Sequence, residues 1–204
     1  MASGITTIFS DVGGVLGTNG LDHAIRKRAV QHFGLDGQDF EERHELVVNF
    51  LELGSLSLSE YLERTVFYRE RPFTPDQFRD FMFAQSKAFP ESIALFERLA
   101  ASKRYLMATL NNESVELNLH RIETFGLRRC FSVFFSSCFL GLKKPDDAIY
   151  RMALKLTQRS PQECLFVDDR KLNLERAARC GIRTLYCQDP IQLEPRFREA
   201  GIQL

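Results

Sequence analysis

Four places along the chain put polar, chemically capable side chains just after short apolar runs. Asp11 follows Ile5–Phe9, and Asn111-Asn112 follow Tyr105–Leu110. Lys143-Lys144 come after Phe131–Phe135, and Asp168-Asp169 follow Cys164–Val167. Carboxylates from two strand ends can share one hard cation, and magnesium prefers a few oxygen ligands plus water. A nearby lysine would offset the charge of a phosphate. A carboxylate held beside a cation and an electrophilic phosphorus can act as a nucleophile. Singly, each place has a plainer reading: Asp11 as a turn or cap residue, Asn111-Asn112 as a helix N-cap, Lys144-Pro145 as a solvated loop, Asp168-Asp169 as a solvated turn. Their order and joint placement favour a shared role.

Such a role needs the four places brought together, and the pattern of elements supplies the means. The apolar runs have strand length and β-branched or aromatic content. After the first, a stretch from about residue 19 to residue 101 reads as successive helices. Ala24–Phe33 stops at Gly34, and Phe40–Leu53 stops at Gly54. Ser57-Leu58-Ser59-Glu60 and Thr74-Pro75-Asp76-Gln77 are capping boxes, the second with proline at the first helical position; Ser92–Ala101 is a further helix. Beyond it strands alternate with the helices Ser114–Phe125, Asp147–Leu156 and Leu172–Cys180, and the strand Arg183–Tyr186 follows. Alternation of this kind implies right-handed crossovers and a parallel sheet covered on both faces. The expected fold is α/β: a Rossmann-like, three-layer parallel-sheet core with an inserted all-helical cap. In such a sheet ligands bind beyond the carboxyl ends of the strands. The expected core is residues 1–16 and 89–204, and the expected cap is residues 17–88.

Composition narrows the partners. Of 204 residues, 44% are apolar and 26% charged, which suits a globular chain. Lys+Arg and Asp+Glu both number 27, giving zero formal charge and no basic footprint for nucleic acid. No run approaches 18 apolar residues, so no membrane span is expected. Met1-Ala2-Ser3-Gly4 lacks the basic start and long apolar stretch of a secretory leader. The five cysteines, Cys130, Cys138, Cys164, Cys180 and Cys187, are odd in number and form no C-x-x-C. That pattern suits a reducing cytoplasm better than a disulfide framework or structural zinc. The expectation is a cytoplasmic monomer or homodimer.

The four strand-end segments together resemble the haloacid dehalogenase-like hydrolase superfamily, over nearly the whole chain. Ile8-Phe9-Ser10-Asp11-Val12-Gly13-Gly14-Val15-Leu16 looks like its first motif and Leu106-Met107-Ala108-Thr109-Leu110-Asn111-Asn112 like its second. Gly141-Leu142-Lys143-Lys144-Pro145-Asp146 looks like the third, and Leu165-Phe166-Val167-Asp168-Asp169-Arg170-Lys171-Leu172-Asn173 like the fourth. Leu53–Tyr61 looks like the cap of a subgroup that includes glucose-1-phosphate phosphatases and the phosphatase domain of some epoxide hydrolases. The resemblance implies a magnesium-dependent phosphomonoester hydrolase acting on a small phosphorylated metabolite, such as a sugar phosphate, through an aspartyl-phosphate. By that reading Asp11 is the nucleophile, and Mg2+ is held by Asp11, the Gly13 carbonyl and Asp169, with Asp168 one shell out or bridged by water. Lys144 neutralises charge. Asn111 bonds a phosphoryl oxygen, and amides opening the next helix, from Asn112 on, complete the cradle. Asn173 orients the acidic pair.

Two positions depart from the family pattern. Phosphatases of this kind usually carry a second Asp, a general acid–base, where this chain has Gly13; such help is typically worth about 10²–10⁴-fold. Asn111 stands where Ser or Thr is usual, with Thr109 the nearest hydroxyl. Two alternatives stay open: a catalytically weak relative that binds a phosphorylated ligand or a protein partner, and a metal-independent 2-haloacid dehalogenase. Dehalogenases usually carry an aromatic residue at the Gly13 position and Ser in place of the acidic pair. Within the cap, His23, Arg26, Arg43 and His44 are the polar residues that could face substrate.

Overall fold

The computed structural model describes residues 4–204. Met1–Ser3, which open the expected core segment and bear on the expected lack of a leader, lie outside the described residues. The first apolar run forms β1 (Thr7–Ser10), buried along its whole length. Among the described residues four more strands join it: β2 (Leu106–Asn111), β3 (Val133–Ser136), β4 (Cys164–Asp168) and β5 (Arg183–Tyr186). All pairings are parallel, and the order is β3-β2-β1-β4-β5. The chain starts in the middle, builds outward through β2 and β3, then returns to the other side of β1. That reversal between β1 and β4 is where parallel sheets open a crevice for ligands. In register Ser10 lies beside Thr109 on one flank and Val167 on the other, so β4 ends one residue and β2 two residues beyond β1.

Alternation of side chains along the strands makes two cores. Ile8, Met107, Leu165 and Val167 face α5 (Pro90–Ala101), α6 (Val115–Thr124) and α10 (Leu193–Glu199), through Phe96, Ile122 and Phe197 among others. Phe9, Leu110 and Phe166 face α8 (Asp147–Thr157) and α9 (Lys171–Arg179), through Ile149, Tyr150 and Ala177. Each fully buried Phe contributes about 1.5–3 kcal/mol of transfer free energy. Both faces of the sheet are therefore covered, and its strands read as apolar runs for that reason.

Between β1 and β2 lie α1 (His23–Phe33), α2 (Gly37–Glu52), α3 (Leu58–Thr65) and α4 (Pro75–Ala84). Both capping boxes form as the sequence predicts: Ser57 with Glu60 opens α3, and Thr74 with Gln77 opens α4. These helices enclose an apolar cluster drawn entirely from residues 25–82, centred on Phe40, Tyr61 and Phe78. Two elements go beyond the sequence reading. A short helix, α7 (Ser137–Leu140), separates β3 from Lys143-Lys144, and α10 packs Leu193 and Phe197 into the core. Both are too short for a periodic signal, and α10 carries Pro195 in its first turn, where proline is tolerated. All five cysteines are free thiols. Among the described residues no helix is long and apolar enough to cross a membrane.

Candidate active site

At the carboxyl ends of β1 and β4 a buried lysine joins two carboxylates. Lys144 Nζ lies 2.9 Å from Asp11 Oδ2 and 2.7 Å from Asp168 Oδ2. Asp168 is fully buried and fully bonded: its Oδ1 accepts from the Arg170 amide at 2.7 Å, and Asn173 Nδ2 donates to both of its oxygens. Asn173 is fixed in turn by the Tyr150 hydroxyl, which donates to its carbonyl at 3.0 Å. The Val12 amide donates to Asp11 Oδ1 at 2.7 Å. Of the acidic pair that Asn173 is expected to orient, its side chain bonds Asp168.

Asp169, the next residue along, is placed differently. Its Oδ2 accepts from Asn19 Nδ2 at 3.1 Å, while its Oδ1 is buried with no hydrogen-bond partner. Gly14, with φ of +70°, makes room for it: a Cβ there would come within 2.2 Å of Asp169 Oδ2. Asp11, Asp168 and Asp169 each offer a carboxylate oxygen within 4.8 Å of the others. Among the described residues Lys144 is the one cation bonded to them, which leaves two formal negative charges for a divalent ion to balance. The donors are all oxygen, one of them buried and unpartnered, which is the donor chemistry magnesium takes. The residues therefore fit the cation.

The electrostatics record the same imbalance. Burial pushes the Asp11 carboxyl up to about 7; Lys144 pulls against that rise, and Asp168 adds to it. Burial raises Asp169 too, against the Asn19 hydrogen bond. At Lys144 burial acts to lower the ammonium's pKa, but Asp11 and Asp168 outweigh it and hold the value up.

These groups open into a cavity of about 480 Å³, and Asp11, Gly13, Asn112, Lys144 and Asn173 line it on the core side. Asn111 does not, contrary to the sequence expectation. It lies opposite Ser136 in the sheet register and is 2% exposed. A buried amide must find partners: Asn111 Nδ2 donates to Asn118 Oδ1, and its Oδ1 accepts from Ser136 Oγ, both at 3.0 Å. Asn112 faces the cavity instead, bonding the Lys144 amide and carbonyl at 2.9 and 2.8 Å. Thr109 is fully buried beneath.

From the helical segment His23, Arg26 and His44 line the cavity, as candidates from the sequence, and Glu52 joins them. Arg43 does not; it bonds Asp39 at 2.9 Å and stacks 3.5 Å above the Tyr68 ring. Burial pushes His44 down to about 4, and its Nδ1 is 2.8 Å from the Tyr61 hydroxyl. Three cavity contacts had no sequence signal, although one of the residues making them, Lys143, lies in a segment singled out from the sequence. The Asn19 bond to Asp169 is one. Lys143 reaches across to Glu52 and Asn49 of α2. Arg121, 2% exposed, bonds Glu113 at 3.1 Å, and grips both linkers through Thr18 O and Ser86 Oγ. Each depends on contacts between distant segments.

Comparison with known proteins bears on the family and the fold. Flavin mononucleotide hydrolase 1 of Arabidopsis thaliana is 26% identical over 167 residues, covering 82% of this chain and 67% of that protein. Two longer curated relatives, from Mus musculus and Sus scrofa, are 38% and 32% identical over 63 and 79 residues, and the chain spans only 6% and 14% of their lengths. A HAD-like family hydrolase from Porphyromonas gingivalis superposes with a TM-score of 0.80 at 24% identity, over 98% of this chain and all of that one. The HAD family enzyme BT-2542 of Bacteroides thetaiotaomicron, solved with magnesium and inorganic phosphate, gives 0.76 at 21% identity, over 90% and 94%. The family model for haloacid dehalogenase-like hydrolases matches residues 5–181, and the chain belongs to that family.

Proposed function

We propose that the protein is a magnesium-dependent phosphomonoesterase whose nucleophile is Asp11. The observation that carries the reading is the Lys144 bridge between Asp11 and Asp168, set beside the unpartnered Oδ1 of Asp169. Mg2+ would be held by Asp11, the Gly13 carbonyl and Asp169, and when bound it screens charge between carboxylate and phosphate and orients the phosphoryl group. Asp168 supports from behind, since Lys144, Arg170 and Asn173 already occupy both of its oxygens. Asp11 then attacks phosphorus as the P–O ester bond breaks, the leaving oxygen taking a proton from solvent since Gly13 offers none, and water later attacks the phosphorus of the aspartyl-phosphate, giving a proton to solvent and releasing inorganic phosphate and free Asp11. Lys144 offsets the negative charge on Asp11 and the phosphoryl oxygens throughout. Asn112 and the amides opening α6, both expected in the phosphoryl cradle beside Asn111, supply it without the buried Asn111 side chain.

Residues 17–88 act in this reading as a cap that closes over the site and excludes water. The cavity volume suits a metabolite-sized ester. The flavin mononucleotide hydrolase relative makes that ester the first to try, beside small sugar phosphates. The absence of a side chain at Gly13 supports a second reading, in which a phosphorylated ligand is bound and turned over slowly. The acidic pair, with its need for a cation, weighs against metal-independent dehalogenation. Phosphate release from p-nitrophenyl phosphate, flavin mononucleotide and a sugar-phosphate panel, with Mg2+ and with EDTA, separates these. Release that requires Mg2+ supports the phosphatase. Tight binding of vanadate without turnover of any ester supports the binding protein.

A further inference from the structure

We propose that Asn19 is a positioning residue that stands in for the side chain absent at Gly13 and ties the magnesium site to the cap. The proposal rests on the magnesium reading above. A Cβ at Gly13 would lie 2.6 Å from Asn19 Oδ1 and 3.4 Å from Asn19 Cα. The space beside the nucleophile into which residue 13 would extend is therefore already filled from residue 19. The same side chain donates through Nδ2 to Asp169 Oδ2 at 3.1 Å, and the other oxygen of Asp169 is the buried, unpartnered one. One bond thus fixes which oxygen Asp169 leaves free for a cation.

Asn19 does not belong to β1 or to any strand-end motif. It sits in the linker that leads into α1, and that linker is fastened to the returning one. The Thr18 amide donates to Lys87 O at 2.8 Å, Thr18 Oγ1 donates to Gln85 O at 3.0 Å, and the Lys87 amide donates to Thr18 Oγ1 at 3.0 Å. Arg121 Nη2 donates to Thr18 O at 2.8 Å. The position of Asn19 is accordingly set by the hinge of the cap, and a swing that displaces residues 18–20 breaks the bond to Asp169. An amide cannot serve as the general acid that an Asp at 13 would provide. It supplies shape and orientation without adding a fourth carboxylate beside Asp11, Asp168 and Asp169.

The test is Mg2+ binding by isothermal titration calorimetry on wild type and Asn19→Ala, with melting in EDTA as the control for folding. Groups that orient metal ligands typically contribute 10–100-fold in affinity. Asn19→Ala is expected to weaken Mg2+ binding at least about tenfold, with melting in EDTA unchanged. Asn19→Leu keeps the volume, removes the donor, and is read by the same criterion should the alanine variant fold poorly. Gly13→Asp is then made in wild type and in Asn19→Ala. It should impair p-nitrophenyl phosphate hydrolysis in wild type, where the new side chain meets Asn19, and impair it less or improve it in the double variant. Mg2+ affinity of Asn19→Ala within about twofold of wild type, far inside the span such groups control, would overturn the proposal, as would equal Gly13→Asp effects in both backgrounds. A wild type that binds no Mg2+ would instead overturn the magnesium reading, and this proposal with it.

Discussion

The two walls of the cavity hold their charges in different ways. On the core wall Asp11, Lys144, Asp168 and Asn173 bond chiefly to one another, and that wall keeps an excess of carboxylate with one oxygen unpartnered. On the wall from the helical segment the polar groups are already paired, Arg26 and His44 within that segment and Glu52 across the cavity. Arg26 is held by Glu41 at 2.6 Å, His44 meets Tyr61, and Glu52 reaches Lys143 at 2.5 Å. In the proposed reading the core wall is set in advance for a cation and a phosphoryl group, whatever ester carries it. In that reading the opposite wall, whose Arg26 and Glu52 charges are already paired, serves to select the leaving group.

Removing the central cation should break that contrast most severely. Lys144→Met leaves Asp11 and Asp168 buried without their counter-charge, and breaking a buried pair costs about 3–5 kcal/mol. Urea unfolding in EDTA at pH 8 should show a loss of that order, smaller at pH 5, where Asp11 takes up a proton. A loss below about 1 kcal/mol, the range of a solvent-exposed pair, would mean that the bridge is not the organising contact.

The second effect is a pH dependence. The Asp11 carboxyl stands at about 7 in the folded protein against an ordinary 3.8, so the metal-free fold holds a proton that the unfolded chain releases. The contribution of Asp11 to stability is therefore greatest below its unfolded value and is lost as pH rises through about 7. Mg2+ needs the ionised carboxylate, so its stabilising effect should grow over the same interval. Melting curves with and without Mg2+ from pH 5 to pH 8 check this; a flat difference would argue against Asp11 as a ligand.

Changes on the cap wall should be smaller and should fall on substrate selection. His44, pushed down to about 4, is neutral at pH 7 and can offer only a neutral hydrogen bond. Loss of one such bond is worth about 0.5–1.5 kcal/mol. His44→Ala should accordingly raise KM for the preferred ester by roughly 2–10-fold, with kcat for p-nitrophenyl phosphate nearly unchanged. Smallest of all, Lys143→Ala breaks a partly exposed bridge and should cost at most about 1 kcal/mol in unfolding measurements.

The same contrast governs what can be read from residue order. Asp11 and Asp168-Asp169 stand out because each lies at a strand end, and parallel strands of one sheet carry their ends to a common edge; Lys144 joins them from beyond α7. Asn173 is legible because it sits on the first turn of α9, within reach of Asp168. The capping boxes at Ser57 and Thr74 are local, and they form where the spacing puts them. Asn111 misled because the identity of a residue at a strand end does not say which way the strand turns it. Its partners Ser136 and Asn118 lie on β3 and α6, and only the register brings them to it. Asn19 and Arg121 are invisible for a related reason: their roles arise where the two linkers between β1 and β2 meet α6 and the β4 loop.

The most direct test of the account is hydrolysis of p-nitrophenyl phosphate by wild type and Asp11→Asn, each assayed with Mg2+ and with EDTA. Wild type should turn over only with Mg2+, and the variant should lose at least about 10³-fold, as expected when a nucleophile is removed. Equal turnover by a well-folded Asp11→Asn, or wild-type turnover that persists in EDTA, would contradict it.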